Sequence, residues 1–382
     1  MISSTLNSAP VQTERQTWID VAKGLGIALV VYGHVQRGLI NAGILGDNKF
    51  WQVLDHLIYS FHMPLFFALS GYFLIPGLQK YAATALLKSK LRSLVYPYLL
   101  WSSAQGILEV LAASMTNKPT SWYEVFAMLW APRAQFWFLY VLFLIFIVAA
   151  CSSRLLLKPA AYGRLSPWLY TILPAALLAR LIRPLGPFPF PLDFLSFYCF
   201  YFFLGAAVYE YRLRISKLSA THNLLDCGLA SLVLTLASVV EYCVQADTPV
   251  GQLPGTLGAC LALLISQLAA SLSGCWLVAS LSLWLAARPA QGSLTGYRLK
   301  CAAALAQLGQ AALAIYLMHI LIGSGLRIVL HKLLHLQQPA LHFSIGFSLS
   351  LLLPYLLYRL SLQPKFAALR WAYEWPKKSA TP

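Results

Sequence analysis

Apolar runs of about 20 residues, separated by short polar or Gly/Pro-rich breaks, recur along the whole chain. A helix rising 1.5 Å per residue needs about 20 mostly apolar residues to cross hydrocarbon. Ten segments qualify, near 18–40, 51–76, 93–116, 135–151, 165–182, 194–211, 223–244, 256–286, 302–326 and 341–360. The pattern predicts an all-α polytopic membrane protein with about ten transmembrane helices. Residues 1–17 form an N-terminal tail, 18–361 a single membrane-embedded domain and 362–382 a C-terminal tail, with no internal repeat or low-complexity tract to subdivide them. The 256–286 run exceeds what a perpendicular crossing needs, so it must tilt, extend along the interface or hold a re-entrant piece.

Composition removes the alternatives to lipid. The 382 residues are 59% hydrophobic and only 10% charged, with a mean hydropathy of +0.66, whereas soluble chains are about one quarter charged. Too few charges remain to wet a soluble surface of this size. The net charge of +16 then reads as loop topology rather than as nucleic-acid binding. With an even number of spans and the N-terminus inside, 20 of the 28 Lys and Arg residues fall on the cytoplasmic side and 8 on the other. Both termini are therefore expected in the cytoplasm. The first 16 residues are polar and carry Glu14 and Arg15, unlike a signal peptide, so the first run is expected to be a retained span. Seven cysteines lie mostly inside apolar runs without metal-ligand spacing, as small hydrophobes do.

Ionisable groups at bilayer depth cost about 3 kcal/mol unless they face a partner or a wet cavity, so they mark candidate sites. The first span supplies Asp20, Lys23 and His34. Lys23 and His34 are eleven residues apart, which at 100° each leaves an offset of roughly 20° and a separation of about 16 Å along one helix face. Asp20 shares that stripe, three residues before Lys23. A cation at the membrane mouth and an imidazole deep on the same face suit one extended ligand with an anionic end outside and a reactive end within. The plainer readings are a snorkelling interfacial lysine and a hydrogen-bonded core histidine. In the second span, His62 stands beside Pro64, whose missing N–H breaks the backbone ladder in mid-membrane. The cluster Lys88, Lys90 and Arg92 enters the third span as a positive-inside anchor or as a clamp for a polyanion. His319 lies about 25 Å along the ninth span, at the depth of His34, so the two can line one chamber. Glu109, Arg180 and Glu241 suggest only pairing or interfacial roles. No nucleophile elbow, zinc-protease, phosphate-loop or dinucleotide motif is present.

These residues, in this order, resemble the acyltransferase-3 family of integral membrane O-acyltransferases, in particular its fucose and exopolysaccharide O-acetylase-like branch. The resemblance runs through W-I-D-V-A-K-G with Lys23 ahead of His34, F-H-M-P-L-F-F-A-L-S-G-Y-F in the second span, and the basic cluster before Pro97. It continues through F136-W-F-L-Y with Trp137, Y201-F-F-L-G, and L-A-I-Y316-L-M-H319. Lysine stands at 23 where the family often has arginine, and Lys88, Lys90 and Arg92 replace its usual Arg-x-x-Arg.

The resemblance implies a bacterial inner-membrane enzyme that moves an acyl group, acetyl above all, from cytoplasmic acyl-CoA to a hydroxyl of a cell-surface or exported glycan, without a bound cofactor or metal. It implies that Lys23, Lys88, Lys90 and Arg92 hold the donor and that Asp20 orients Lys23. His34 then serves as general base or carries the acyl group itself. His62, Trp137, Tyr316 and His319 are expected along the substrate path, and a polysaccharide assembly or export complex is the expected setting. Two rivals predict no covalent chemistry: a permease for a sugar or lipid-linked glycan, and a scaffold in an export complex.

Overall fold

The computed structural model describes residues 17–46, 48–113, 120–156, 166–183, 188–219, 223–246, 256–287 and 294–375. The N-terminal tail through residue 16, the end of the C-terminal tail and most of the loops that separate the predicted spans lie outside them. The regular elements among the described residues are all helices, with no strand among them. The principal helices are α1 (Thr17–Asn41), α2 (Lys49–Tyr72), α3 (Leu74–Lys80), α4 (Ala83–Lys90), α5 (Tyr96–Leu111), α6 (Trp122–Ala127) and α7 (Trp137–Leu156). They continue with α8 (Ser166–Ile182), α9 (Leu192–Ser219), α10 (Asn223–Ala246), α11 (Leu257–Ala286), α12 (Leu294–Gln310), α13 (Ala312–Ile328) and α14 (Pro339–Ser361).

Among the described residues, eight helical segments are long and apolar enough to cross a membrane. Two of the ten predicted spans fall short: α8 has 17 residues and α5 has 16. The third run loses its beginning to a π-helical turn, Leu91–Val95, in which the Tyr96 N–H bonds to the Leu91 carbonyl. Pro97 follows and brings no N–H to an α-helical ladder. The ninth run is divided at Ala311, whose backbone (φ −88°, ψ 2°) leaves the helical region and separates α12 from α13.

Two close crossings set the helix positions. A β-carbon built on Gly309 would lie 1.8 Å from the Asp20 carbonyl oxygen, and one on Gly24 would lie 2.0 Å from that of Leu305, so α1 and α12 meet backbone to backbone. Gly71 and Gly205 do the same for α2 and α9, at 1.8 Å from the Phe202 carbonyl and 1.9 Å from that of Ala68. Small residues permit this approach in lipid, where van der Waals packing replaces the hydrophobic drive between helices. Around the α2–α9 crossing packs an aromatic core in which Phe67 stacks on Tyr198 (ring centroids 4.4 Å) and meets Phe138 edge-on.

Part of the predicted C-terminal tail is folded. A 3₁₀ turn, Pro364–Ala372, follows α14. It accepts hydrogen bonds from the Trp101 indole onto the Ala372 carbonyl and from the Tyr96 hydroxyl onto that of Trp371. This turn is thereby tied to α5, at the same end of the bundle as Lys90 and Lys23.

Candidate functional site

Two cavities lie end to end along α1 and α13. The first, about 380 Å³, opens at the basic end. Lys23 and Lys90 stand at its mouth with Ser70 and Gln310, and its walls are apolar: Ile27, Val30, Met63, Phe138, Leu142 and Leu313. Tyr316 lines it as well, donating its hydroxyl to the Gln135 carbonyl. The ammonium of Lys23 lies 5.1 Å from the Phe73 ring and that of Lys90 lies 4.4 Å from Phe146, so each cation is held at an aromatic face. Burial above all, and the charge of Lys23 beside it, push the Lys90 ammonium down to about 8.

The second cavity, about 320 Å³, occupies the opposite half of the bundle. His34, Arg37, His319, Ser324, Arg327 and His342 line it. The rings of His34 and His319 are 5.1 Å apart. Val30 belongs to the first cavity and His34 to the second; Tyr316 belongs to the first and His319 to the second. On both helices the step from one cavity to the other is one turn, about 5 Å.

Local helix chemistry orients the imidazoles. His319 Nδ1 lies 3.0 Å from the Ile315 carbonyl and 2.8 Å from that of Tyr316. Carbonyls only accept, so this nitrogen carries the proton and Nε2 presents a lone pair, buried and without a protein partner. His62 Nδ1 likewise donates to the Ile58 carbonyl at 2.9 Å. It is fully buried against the Tyr59 ring, 4.4 Å away, and lines neither cavity.

Tyr59 was not singled out by the sequence, yet it connects these groups. Its ring is 6.3 Å from His34 and lies under the Arg37 guanidinium at 3.2 Å. Its hydroxyl is buried without a partner. Arg37 is fixed by paired hydrogen bonds of 2.7 and 2.6 Å to Asp55. The signal was available: Tyr59 precedes His62 by three residues and Arg37 follows His34 by three, the spacing that puts side chains on one helix face.

The structure divides the remaining candidates. Asp20 is buried, with its carbonyl against Gly309 at the α1–α12 crossing. Lys88 and Arg92 are exposed and outside the cavity lining, so Lys90 alone of the basic cluster joins Lys23 there. Trp137 is packed with Phe194 (4.9 Å) and Tyr198 (5.2 Å), and its neighbour Phe138 faces the cavity instead. Glu109 pairs with Arg133, Glu241 with His56 at 3.1 Å, and Arg180 donates to Gln267 at 3.0 Å. No cluster of three or more metal-ligating side chains occurs among the described residues.

The chain is similar to nodulation protein NolL of Mesorhizobium japonicum, 28% identical over 207 residues. The match takes in 53% of this chain and 51% of that protein, so the chain spans about half the length of the curated relative it matches. No solved structure matches it. A family profile described as an acyltransferase domain matches residues 16–359, nearly the whole chain and every side chain that lines the two cavities. The chain belongs to the acyltransferase-3 family of multi-pass membrane proteins.

Proposed function

We propose that this protein is an O-acyltransferase that moves an acetyl group from cytoplasmic acetyl-CoA to a glycan hydroxyl on the far side of a bacterial inner membrane, with ten crossings and both termini in the cytoplasm. The observation that carries the reading is the pair of cavities meeting within one helical turn, with cations at one mouth and imidazoles in the opposite chamber. A long polyanionic thioester suits the first: its phosphates meet Lys23 and Lys90, and its arm runs along the apolar wall toward Tyr316. A polyhydroxylated acceptor suits the second, where polar side chains predominate.

His34 takes the proton of the acceptor hydroxyl as its oxygen attacks the thioester carbonyl. The new C–O bond forms, the C–S bond breaks, and the electron pair leaves on sulfur as thiolate. The proton on His34 then passes to that thiolate, releasing free CoA. The Nε2 lone pair of His319, 5.1 Å away ring to ring, accepts from the substrate or from His34 and keeps the hydroxyl in place. Inverted membrane vesicles given labelled acetyl-CoA are expected to transfer label to glycan. Vesicles that bind the thioester but leave every glycan unlabelled would contradict the proposal.

The donor site carries its own prediction. Lys90 is charged below its pKa of about 8 and neutral above it, so its hold on phosphate weakens as pH rises. The KM for acetyl-CoA is expected to climb between pH 7 and 9 in the wild type and to stay flat in Lys90→Arg, whose guanidinium remains charged. Lys23→Ala and Lys90→Ala are each expected to raise that KM about tenfold, as the loss of a charge-assisted hydrogen bond of about 1.5 kcal/mol would. Lys88→Ala and Arg92→Ala, which remove exposed side chains, are expected to change it by less than about threefold. A clamp built equally from all four cations would instead give four similar losses.

A further inference from the structure

The histidine chamber carries more positive charge than proton transfer requires. Two guanidiniums, Arg37 and Arg327, line it together with three imidazoles, and no Asp or Glu belongs to its lining. In the proposed orientation both arginines stand toward the outer ends of their spans, where the positive-inside rule gives no reason for a cation. An ionisable group at such a position is kept for a partner or a ligand.

The two arginines differ in how they are balanced. Arg37 is neutralised by Asp55 through paired hydrogen bonds and stacks on Tyr59. Arg327, half-buried, has no carboxylate partner among the described residues. Its Nη1 donates to the Gly38 carbonyl at 2.6 Å, which uses one of five N–H donors and leaves the charge uncompensated. Arg327 also borders a cavity of about 640 Å³ between α5, α6 and α13, but both carboxylates of that cavity are engaged elsewhere. Glu109 pairs with Arg133, and Glu124 accepts from the Ser121 N–H in the capping box that starts α6.

Position decides what this charge can meet. Gly38 follows His34 by four residues, so its bond to Arg327 sets the guanidinium one helical turn, about 6 Å, outward from the general base. A hydroxyl and an acidic substituent of one sugar, or of two joined sugars, span such a separation. His342 Nε2 donates to the Leu336 carbonyl at 2.9 Å, so its Nδ1 presents a lone pair that, like His319 Nε2, has no protein partner. Imidazole lone pairs accept from hydroxyls. A guanidinium fork matches the paired oxygens of a carboxylate or a phosphate.

We infer that Arg327 selects an acidic saccharide: the sugar that receives the acyl group, or the one joined to it, bears a carboxylate or phosphate that seats on this guanidinium while the reacting hydroxyl seats on His34. A wholly neutral saccharide would leave Arg327 without a counter-ion. The inference rests on the transferase reading and names its acceptor by charge.

The first test is to locate the O-acetylated residue in surface glycan by NMR. It is expected to be acidic or joined to an acidic sugar, with carbon and phosphorus spectra telling carboxylate from phosphate. O-acetyl on a neutral sugar with neutral neighbours would overturn the inference and leave acyl transfer standing, whereas no O-acetyl dependent on the gene would contradict the transferase reading as well. The second test assigns the recognition to Arg327, using membranes, labelled acetyl-CoA and glycan purified from a strain lacking the gene. Arg327→Gln and Arg327→Lys both keep a donor for the Gly38 carbonyl and differ in charge. Arg327→Gln is expected to raise the KM for glycan about tenfold, with the KM for acetyl-CoA unchanged, and Arg327→Lys to stay within about threefold of wild type. Neutralising the glycan, by carbodiimide and borohydride for carboxylates or by aqueous hydrogen fluoride for phosphates, is expected to cost wild type the same tenfold and Arg327→Gln nothing further. Equal losses in the two variants, or a wild type indifferent to both treatments, would reduce Arg327 to a pin between α13 and α1 and overturn the inference.

Discussion

The His34→Ala protein is expected to insert and fold normally while its kcat for acyl transfer falls by about 10²- to 10⁴-fold, the range a positioned general base contributes. Its KM for acetyl-CoA should stay near the wild-type value, because Lys23 stands about 16 Å away along α1 and Lys90 lines the other cavity. Folding should survive because the ring is only half-buried and opens into a cavity. His319→Ala is expected to lower kcat by a smaller factor, since it removes a lone-pair acceptor beside the reacting centre rather than the base itself. Rapid-quench measurement of CoA release in proteoliposomes separates kcat from KM. If His34→Ala retains transfer within about threefold, the base is another group, and His319, with its proton fixed on Nδ1, is the next to examine.

Alanine at position 309 is expected to be among the most damaging single methyls within the described residues. The added carbon would sit 1.8 Å from the Asp20 carbonyl oxygen, well inside contact distance, and that neighbour is backbone that cannot rotate away. α1 and α12 must separate, at a cost of about 3 kcal/mol, the upper part of the range for overpacked interiors. Because α1 carries both Lys23 and His34, the same displacement disturbs both cavities, so activity should fall with the melting temperature. Gly71→Ala is expected to act in the same way at the α2–α9 crossing. Gly258→Ala, where an added β-carbon meets nothing within 4 Å, should stay within about 0.5 kcal/mol of wild type. Thermal melts in detergent would show the contrast, and equal stability of Gly309→Ala and Gly258→Ala would refute the crossing.

Much of the fold was legible because lipid imposes a simple rule, and runs of apolar residues become helices where backbone groups must satisfy one another. What escaped were local events without a sequence marker. Nothing in L-G-Q-A-A announces the break at Ala311, and the third span's π turn was visible only as a proline. The site was legible along single helices. The shared face of Lys23 and His34 follows from 100° per residue, and the matching depth of His34 and His319 follows from 1.5 Å per residue.

The same arithmetic separates the basic cluster: Lys88 and Arg92, four apart, share a face, while Lys90 is about 200° from each. Trp137 and Phe138 show the limit of motif reasoning, since adjacent aromatics point in different directions and only packing decides which one meets the cavity. The groove between α5, α6 and α13 was not legible at all. It is lined by residues between 105 and 134 and between 320 and 328, and no periodicity connects segments so far apart in the chain.

The central claim is tested most directly by proton NMR of surface glycan from three strains: one lacking the gene, one carrying the wild-type chain and one carrying His34→Ala at equal membrane abundance. The account predicts O-acetyl resonances only with the wild-type chain. Their persistence with His34→Ala, or a glycan spectrum unchanged by loss of the gene, would contradict it.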